Sequence, residues 1–181
     1  IQYINFWYPE QGIAGKLTPY PVTIKNKIGF NLNCKFTVEN VTFVNSWRAI
    51  QMGPRGNTLW TIRSVNGFPL RTGIETDGTL DVGRLHKINF APEFWCQSGL
   101  DLSPSLVSSI MKSVYNEGTG ILIRKHDFVS YAAFRLRGYK FGLAGDFLTP
   151  NAKVENRMKQ FGDRFFQGHF YDIDIEQCRF A

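Results

Sequence analysis

Apolar and polar residues alternate with a period of two over several stretches of the chain. The pattern is clearest over residues 30–39, where every second residue is apolar, and residues 22–28 show a similar alternation. Because successive side chains of a strand point to opposite faces, this period predicts strands with one buried face. The two stretches are predicted to form a strand pair, or one long strand bent at Gly29.

Turn-forming dipeptides follow at short intervals. Asn66-Gly67 and Asp77-Gly78 are typical of tight hairpin turns, because these residues tolerate positive φ. They predict successive antiparallel strands over residues 59–65, 68–75 and 79–90. Further extended segments are expected over residues 121–124, 128–143 and 170–179.

One helix is predicted over residues 103–117. Ser103 can cap its first turn, Pro104 suits the first helical position, and Gly118 is expected to end it. One face carries an apolar stripe that we interpret as core packing, formed by Leu106, Val107, Ile110, Met111, Val114 and Tyr115. A second, shorter helix is predicted over residues 151–161.

These elements predict a mainly β protein with one or two inserted helices. The expected architecture is an antiparallel β-sandwich, a jelly roll or a β-barrel, formed by a single domain over residues 1–181. Alternating strand and helix units are lacking, which argues against a parallel sheet. The sequence contains no convincing internal repeat and no segment typical of a linker.

Composition supports a folded chain and indicates its preferred partners. Hydrophobic residues make up 43% of the 181 positions and aromatic residues 15%, too many for a disordered chain. The net charge of +6 favours nucleic acid or another polyanion as a partner, although no run of lysines and arginines is present. No apolar run reaches the ~20 residues that span a bilayer, so we expect a soluble protein.

The cysteines and the first residue bear on localisation. Cys34, Cys96 and Cys178 are far apart and form no CxxC pair, which favours a reducing compartment or a virion over secretion, with one disulfide as the alternative. The sequon at Asn40 would permit glycosylation in a secreted protein. Because the chain begins at Ile1 rather than at methionine, we interpret its start as a processing or cloning boundary.

Candidate catalytic residues are few. His86, His126 and His169 do not pair at metal-ligand spacings. Asp172, Asp174 and Glu176 share one face of the last predicted strand, where they could hold a divalent cation beside His169; the alternative is an amphipathic strand with its acids in water. The sequence contains no G-x-S-x-G, Walker A or G-x-G-x-x-G motif. These absences favour a non-enzymatic protein, and no cofactor is predicted.

A basic and aromatic stretch is the best candidate contact surface. In residues 131–141, YAAFRLRGYKF, strand alternation directs Phe134 and Leu136 inward. The predicted binding residues for nucleic acid or another acidic partner are Arg135, Arg137, Tyr139 and Lys140. Guanidinium groups bind phosphate and aromatic rings stack on bases or sugars. The alternative is a strand whose arginines are only solvated.

Three functional hypotheses remain open. The leading one is a structural subunit that acts through its surfaces as a homo-oligomer or larger assembly, for instance a jelly-roll viral coat or virion protein with a basic face. The second is a carbohydrate-binding or adhesin-like domain, in which Trp47, Trp60 or Trp95 could serve as sugar platforms. The third is a metal-dependent hydrolase or nuclease that uses His169, Asp172 and Asp174.

Overall fold

The computed structural model describes residues 1–11, 17–26, 35–53, 59–79, 82–98, 102–124, 126–145 and 166–180. Within them the chain forms eleven strands and two helices. In chain order these are β1 (Gln2–Phe6), β2 (Ile24–Asn26), β3 (Phe36–Phe43), β4 (Arg48–Met52), β5 (Trp60–Gly67), β6 (Thr72–Thr76), β7 (Gly83–Phe90), α1 (Glu93–Cys96), α2 (Pro104–Glu117), β8 (Thr119–Ile123), β9 (His126–Arg137), β10 (Phe141–Gly145) and β11 (Phe166–Glu176).

The strands form two sheets, and every pair of neighbouring strands is parallel. The odd-numbered strands lie in chain order in one sheet, sheet A, and the even-numbered strands lie in chain order in the other, sheet B. The chain therefore passes from one sheet to the other at each step and returns one strand further along. This path is a coil, the architecture of a parallel β-helix.

The predicted antiparallel sandwich, jelly roll or barrel is therefore wrong. Most strands lie close to a predicted extended segment, but β1 and β4 were not predicted and the parallel pairing was not expected. Without a jelly roll, the interpretation as a coat or virion protein loses its structural basis, and nothing in the structure supports it. The prediction of mainly β structure is correct.

The Asn66-Gly67 dipeptide explains this error. Gly67 does not turn a hairpin; it lies between Phe43 and Phe90 of the neighbouring strands, and the chain then leaves sheet A for sheet B. A Cβ atom on Gly67 would approach the Phe43 carbonyl oxygen to 2.0 Å, and its φ is +141°. Glycine is thus required at this position because successive strands approach each other closely. The Asn-Gly dipeptide alone does not distinguish this role from a hairpin turn.

Each complete turn of the coil is here called a rung, and the two rungs from β3 to β7 have nearly the same length. Phe36 pairs with Trp60 and Trp60 with Gly83, so successive rungs take 24 and then 23 residues. The rung from β7 to β9 is longer, because α1 and α2 lie between β7 and β8. The repeat is geometric. A given position points in the same direction, inward or outward, in every rung, while the residue types at that position differ.

A left-handed residue bends every strand of sheet A at the same position. The residues in this bend column have φ between 52° and 57°, and they are Tyr3, Asn40, Ser64, Lys87, Ala133 and Asp172. The residues on both sides of the bend stay in register, as Glu39 with Arg63 and Val41 with Val65 do. Inward residues are therefore three positions apart across the bend. Strict alternation along a strand predicts a spacing of two and does not predict this one.

Stacked inward columns form the core between the sheets. Val38, Ile62, Leu85 and Tyr131 make one column with 0% exposure. From sheet B, Ile50, Ile74 and Ile121 form another, exposed by 1% or less. Full burial of each such side chain contributes about 1.5–3 kcal/mol, so stacking of rungs stabilises the fold.

The helix predicted over residues 103–117 is confirmed as α2. The Ser103 hydroxyl accepts a hydrogen bond from the Leu106 amide, and Gly118 follows the last helical residue. Ile110 and Val114 are the buried residues of its apolar stripe. The short helix α1 was not predicted. Neither the helix predicted over residues 151–161 nor the strand residues 30–34 fall within the described part of the chain.

Neither α1 nor α2, the helices that the described ranges contain, has the length and apolar character needed to cross a membrane.

Candidate functional site

An open cleft lies on the outer face of sheet A. Its volume is about 450 Å³, and it crosses β5, β7, β9 and β11. The residues that line this sheet A cleft are Ser64, Asn66, Lys87, Ile88, Asn89, Ala133, Phe134, Arg135, Asp172 and Asp174. Most of them are polar or charged, so the cleft is suited to a polar ligand.

The coil places these side chains in two parallel columns. One is the bend column, which contributes Ser64, Lys87, Ala133 and Asp172. The other is an outward row whose residues are paired in register across four strands: Asn66, Asn89, Arg135 and Asp174. Neighbouring strands lie ~4.8 Å apart, so the row is roughly 14 Å long. The cleft therefore presents regularly spaced polar groups to an extended ligand.

Positive and negative charges are both present in the cleft. The Arg135 Nε donates to Asp174 Oδ2 at 3.3 Å, and the Arg135 side chain is 61% exposed. Such exposed pairs contribute at most about 1 kcal/mol, so a ligand can replace either partner at little cost. Lys87 is exposed and makes no ion pair with any residue of the described ranges. Lys87 is therefore available to a ligand.

The amide of Asn89 is not fully satisfied. Its Oδ1 atom is buried and accepts no hydrogen bond within the part of the chain that the structure describes. A buried acceptor without a donor is unusual in folded proteins. Asn89 lies between Asn66 and Arg135 in the outward row and lines the cleft.

Aromatic and imidazole groups flank the cleft. Tyr171, directly before Asp172, is 56% exposed, and its ring lies 6.3 Å from that of His169. On the neighbouring strands, His86 Nε2 lies 2.9 Å from the Ser130 hydroxyl. Burial, and secondarily the charge of Arg84, lowers the pKa of His86. The lowered pKa favours the neutral form of His86, whereas Tyr171 offers a ring face to solvent.

The four binding residues predicted from the sequence lie in different environments and do not form one site. Arg135 lies in the sheet A cleft. Arg137 donates to Glu93 Oε2 at 2.9 Å, and the Lys140 ammonium lies 5.2 Å from the centre of the Phe141 ring. Tyr139 is fully buried, and burial raises its pKa. The glycine between Arg137 and Tyr139 has φ +81° and turns the chain, which ends the alternation on which the prediction depended.

The acidic cluster of the last strand is arranged differently from its prediction. Asp172 is the bend residue of β11, so Tyr171 points outward, while Ile173 and Ile175 pack against the core. Among the residues that the structure describes, no three histidine, cysteine or acidic side chains lie close enough to hold a metal ion. Within the described residues, His169, Asp172 and Asp174 therefore do not form a three-ligand metal site.

Two of the three tryptophans considered as sugar platforms lie in the core. Trp60 is 0% and Trp95 is 1% exposed, and Trp47 is partly buried against the core.

The thiols of Cys96 and Cys178 are free, and burial raises the pKa of each. Cys34 falls outside the described ranges.

A second polar cluster lies on sheet B and was not predicted. Glu75 is only 7% exposed and forms ion pairs with Arg48 and with Arg124, whose Nε lies 3.3 Å from Glu75 Oε1. Gln51 Nε2 lies 3.4 Å from the same carboxylate. Two guanidinium groups compensate the buried charge, so the cluster connects β4 and β6 with the end of β8. Only the register of the rungs brings these residues together.

No protein-family model, no curated protein and no solved structure matches this chain. The function is therefore inferred from the sheet A cleft, because a β-helix architecture alone does not define an activity.

Proposed function

We propose that the protein binds a glycan chain in the sheet A cleft, with the chain lying across β5, β7, β9 and β11. The observation that carries this proposal is the row of Asn66, Asn89, Arg135 and Asp174 beside the exposed ammonium of Lys87. Sugar hydroxyls both donate and accept hydrogen bonds. A row of two amides, a guanidinium and a carboxylate can satisfy both functions.

The balance of charge favours a glycan over a nucleic acid at this site. Lys87 and Arg135 are the cations of the cleft, and Asp172 and Asp174 are its anions. A phosphate backbone requires cations that are free to neutralise it, and carboxylates repel it. A hydroxyl group instead donates to a carboxylate, so Asp172 and Asp174 support glycan binding.

The ring of Tyr171 adds an apolar contact at one end of the cleft. It is exposed and adjacent to Asp172 in the chain. The faces of sugar rings carry C–H groups that pack against an aromatic face, and tyrosine combines such a face with a polar hydroxyl. We therefore place one sugar unit against Tyr171 and the following units along the outward row.

The proposal is tested by calorimetric titration with a panel of neutral and acidic polysaccharides. Lys87→Asn removes the ammonium and keeps a residue that tolerates positive φ; it is expected to weaken binding about tenfold, as for loss of a charged hydrogen bond. Tyr171→Ala is expected to weaken it several-fold. The matched control is Lys25→Asn on sheet B, which replaces an exposed strand lysine and leaves the affinity unchanged.

Two results would contradict the proposal. One is glycan binding that both cleft variants leave unaltered. The other is a preference for single-stranded DNA or RNA over every glycan, with a salt dependence that Arg135→Gln reduces, since that result indicates a phosphate-binding surface.

A further inference from the structure

A serine and a histidine form a hydrogen-bonded pair beside the sheet A cleft. His86 lies directly before Lys87 on β7, and Ser130 lies three residues before Ala133 on β9. The His86 Nε2 atom lies 2.9 Å from the Ser130 hydroxyl oxygen. Both side chains are half-buried on the outer face of sheet A, so the pair borders the cleft rather than the core.

The register of sheet A places a cation and an open space around this pair. Arg84 is exposed, is paired in register with Ser130, and has no ion-pair partner among the described residues. His86 is paired with Ala132, whose next neighbour on β11 is Tyr171. The strands that carry the two rings are two spacings, ~9.6 Å, apart. Because only the methyl group of Ala132 stands between the rings, a small acyl group has room there.

The groups around His86 favour its neutral form. Burial, and secondarily the charge of Arg84, lowers the pKa of His86. On β5, Arg63 is in register with His86 but is ion-paired with Glu39 of β3. On β9, the group that His86 contacts is the uncharged Ser130 hydroxyl. An imidazole with its proton on Nδ1 accepts the hydroxyl hydrogen at Nε2, which is the arrangement that general-base activation of a serine requires.

We propose that Ser130 and His86 are the nucleophile and the general base of an esterase that removes small O-acyl groups, such as acetyl, from a glycan in the sheet A cleft. The choice of a glycan ester rests on the proposed function, because the pair borders the proposed binding site. The reactivity of Ser130 toward small esters does not rest on it.

The reaction takes place in two steps. The Ser130 Oγ attacks the carbonyl carbon of the ester, its proton moves to His86 Nε2, and the negative charge on the carbonyl oxygen is stabilised by the guanidinium of Arg84. The bond to the sugar oxygen breaks, and that oxygen takes the proton from Nε2. Water then attacks the acyl carbon and gives a proton to Nε2. The bond to Ser130 breaks, its oxygen takes that proton, and the carboxylic acid leaves.

The pair lacks a carboxylate that would orient the imidazole. Within the part of the chain that the structure describes, no acid forms an ion pair with His86. In a Ser-His-Asp triad, the acid contributes about 10⁴-fold to kcat. We therefore expect slow turnover, so covalent modification of the serine is the more sensitive measurement.

Labelling with a fluorophosphonate probe tests the nucleophile. Mass spectrometry of the labelled chain is expected to locate the adduct on Ser130, and His86→Gln is expected to slow labelling about 100-fold. The matched control is Ser108→Ala, which removes an exposed hydroxyl from α2 and leaves the rate unchanged. Circular dichroism confirms that each variant is folded. Labelling that is absent, or that Ser130→Ala does not remove, overturns the proposal.

The pH dependence distinguishes a general base from an ordinary hydrogen bond. Hydrolysis of 4-nitrophenyl acetate is expected to rise to a plateau as His86 loses its proton, with a midpoint below the ~6.5 usual for histidine. Arg84→Gln removes a nearby positive charge and is expected to shift the midpoint upward and to lower the plateau. His169→Asn removes the imidazole on the other side of Ser130 and is expected to keep the midpoint. A midpoint that changes only in His169→Asn contradicts the assignment to His86.

Acetate release from a panel of O-acetylated polysaccharides tests the substrate class. Lys87→Asn is expected to lower kcat/KM for the polysaccharide several-fold relative to that for 4-nitrophenyl acetate. Labelling of Ser130 without acetate release from any polysaccharide contradicts the glycan substrate. If the parent chain releases acetate and Ser130→Ala releases it at the same rate, the esterase proposal is wrong while glycan binding, measured by calorimetry, stands.

Discussion

The interior strands β5 and β7 and the end strands β1 and β11 have the same local design but different surroundings. All four alternate inward and outward residues and contain the left-handed bend. Ile88 on β7 is 1% exposed, whereas Ile4 on β1, in the same column, is 42% exposed. The comparison shows that the sequence pattern determines where a strand forms, while burial depends on having a neighbouring rung on both sides.

The largest expected difference is between alanine substitutions at these two positions. Ile88→Ala leaves a cavity between Val65 and Phe134 and is expected to lower the free energy of unfolding by about 2–5 kcal/mol. Ile4→Ala removes the same atoms from a position open to water and is expected to cost about 1 kcal/mol or less. Denaturant unfolding of both variants measures the difference.

This measurement is made at a protein concentration where the chain is monomeric by light scattering. Circular dichroism of both variants serves as the control for an intact fold. Equal losses at the two positions would contradict the difference between interior and end rungs.

The smaller expected effect is on the pH dependence of folding, at the point where the end strand β11 lies beside the interior residue His126. His126 is fully buried at the start of β9, in register with Phe166 of β11. Burial lowers the pKa of His126 to about 4, against ~6.5 in the unfolded chain. As the pH falls from 6.5 to 4, the unfolded chain binds a proton that the folded chain excludes. Folding is therefore expected to lose up to about 3 kcal/mol across this window.

The control for this pH dependence is His126→Phe. It keeps an aromatic ring near Tyr131, whose ring centre lies 5.3 Å from that of the histidine, and removes the titrating group. Unfolding free energies between pH 7 and 4 are expected to vary less in this variant than in the parent chain. The same slope in both proteins would indicate that His126 is not excluded from protonation in the folded chain.

Much of the local structure could be predicted from the sequence. The inward positions of Phe134 and Leu136 follow from alternation and are confirmed, as are α2 and its cap at Ser103. Tyr139 could not be placed in this way, because the turn at Gly138 reverses its direction. Lys87 and Ala133 adopt positive φ although neither is glycine or asparagine, so residue type gave no signal for the bend.

The site could not be predicted because it depends on register between rungs. Arg135 and Asp174 are 39 residues apart in the chain, and Asn89 lies beside Arg135 only because α1 and α2 are accommodated within a single rung. The inward and outward pattern of one strand carries no information about which strand lies next to it. Hairpin signals such as Asn66-Gly67 therefore could not indicate that the strands stack in parallel.

Nuclear Overhauser contacts in the folded protein test the parallel coil most directly. The structure predicts contacts between the methyl groups of Val65 and Ile88, between Ile88 and the ring of Phe134, and between the Leu70 amide and Ser46, whose carbonyl accepts its hydrogen bond at 2.8 Å. A hairpin at Asn66-Gly67 would instead pair the backbone of Arg63 with Leu70. Observation of that pairing, without the contacts between Val65 and Ile88, would contradict the coil and with it the sheet A cleft.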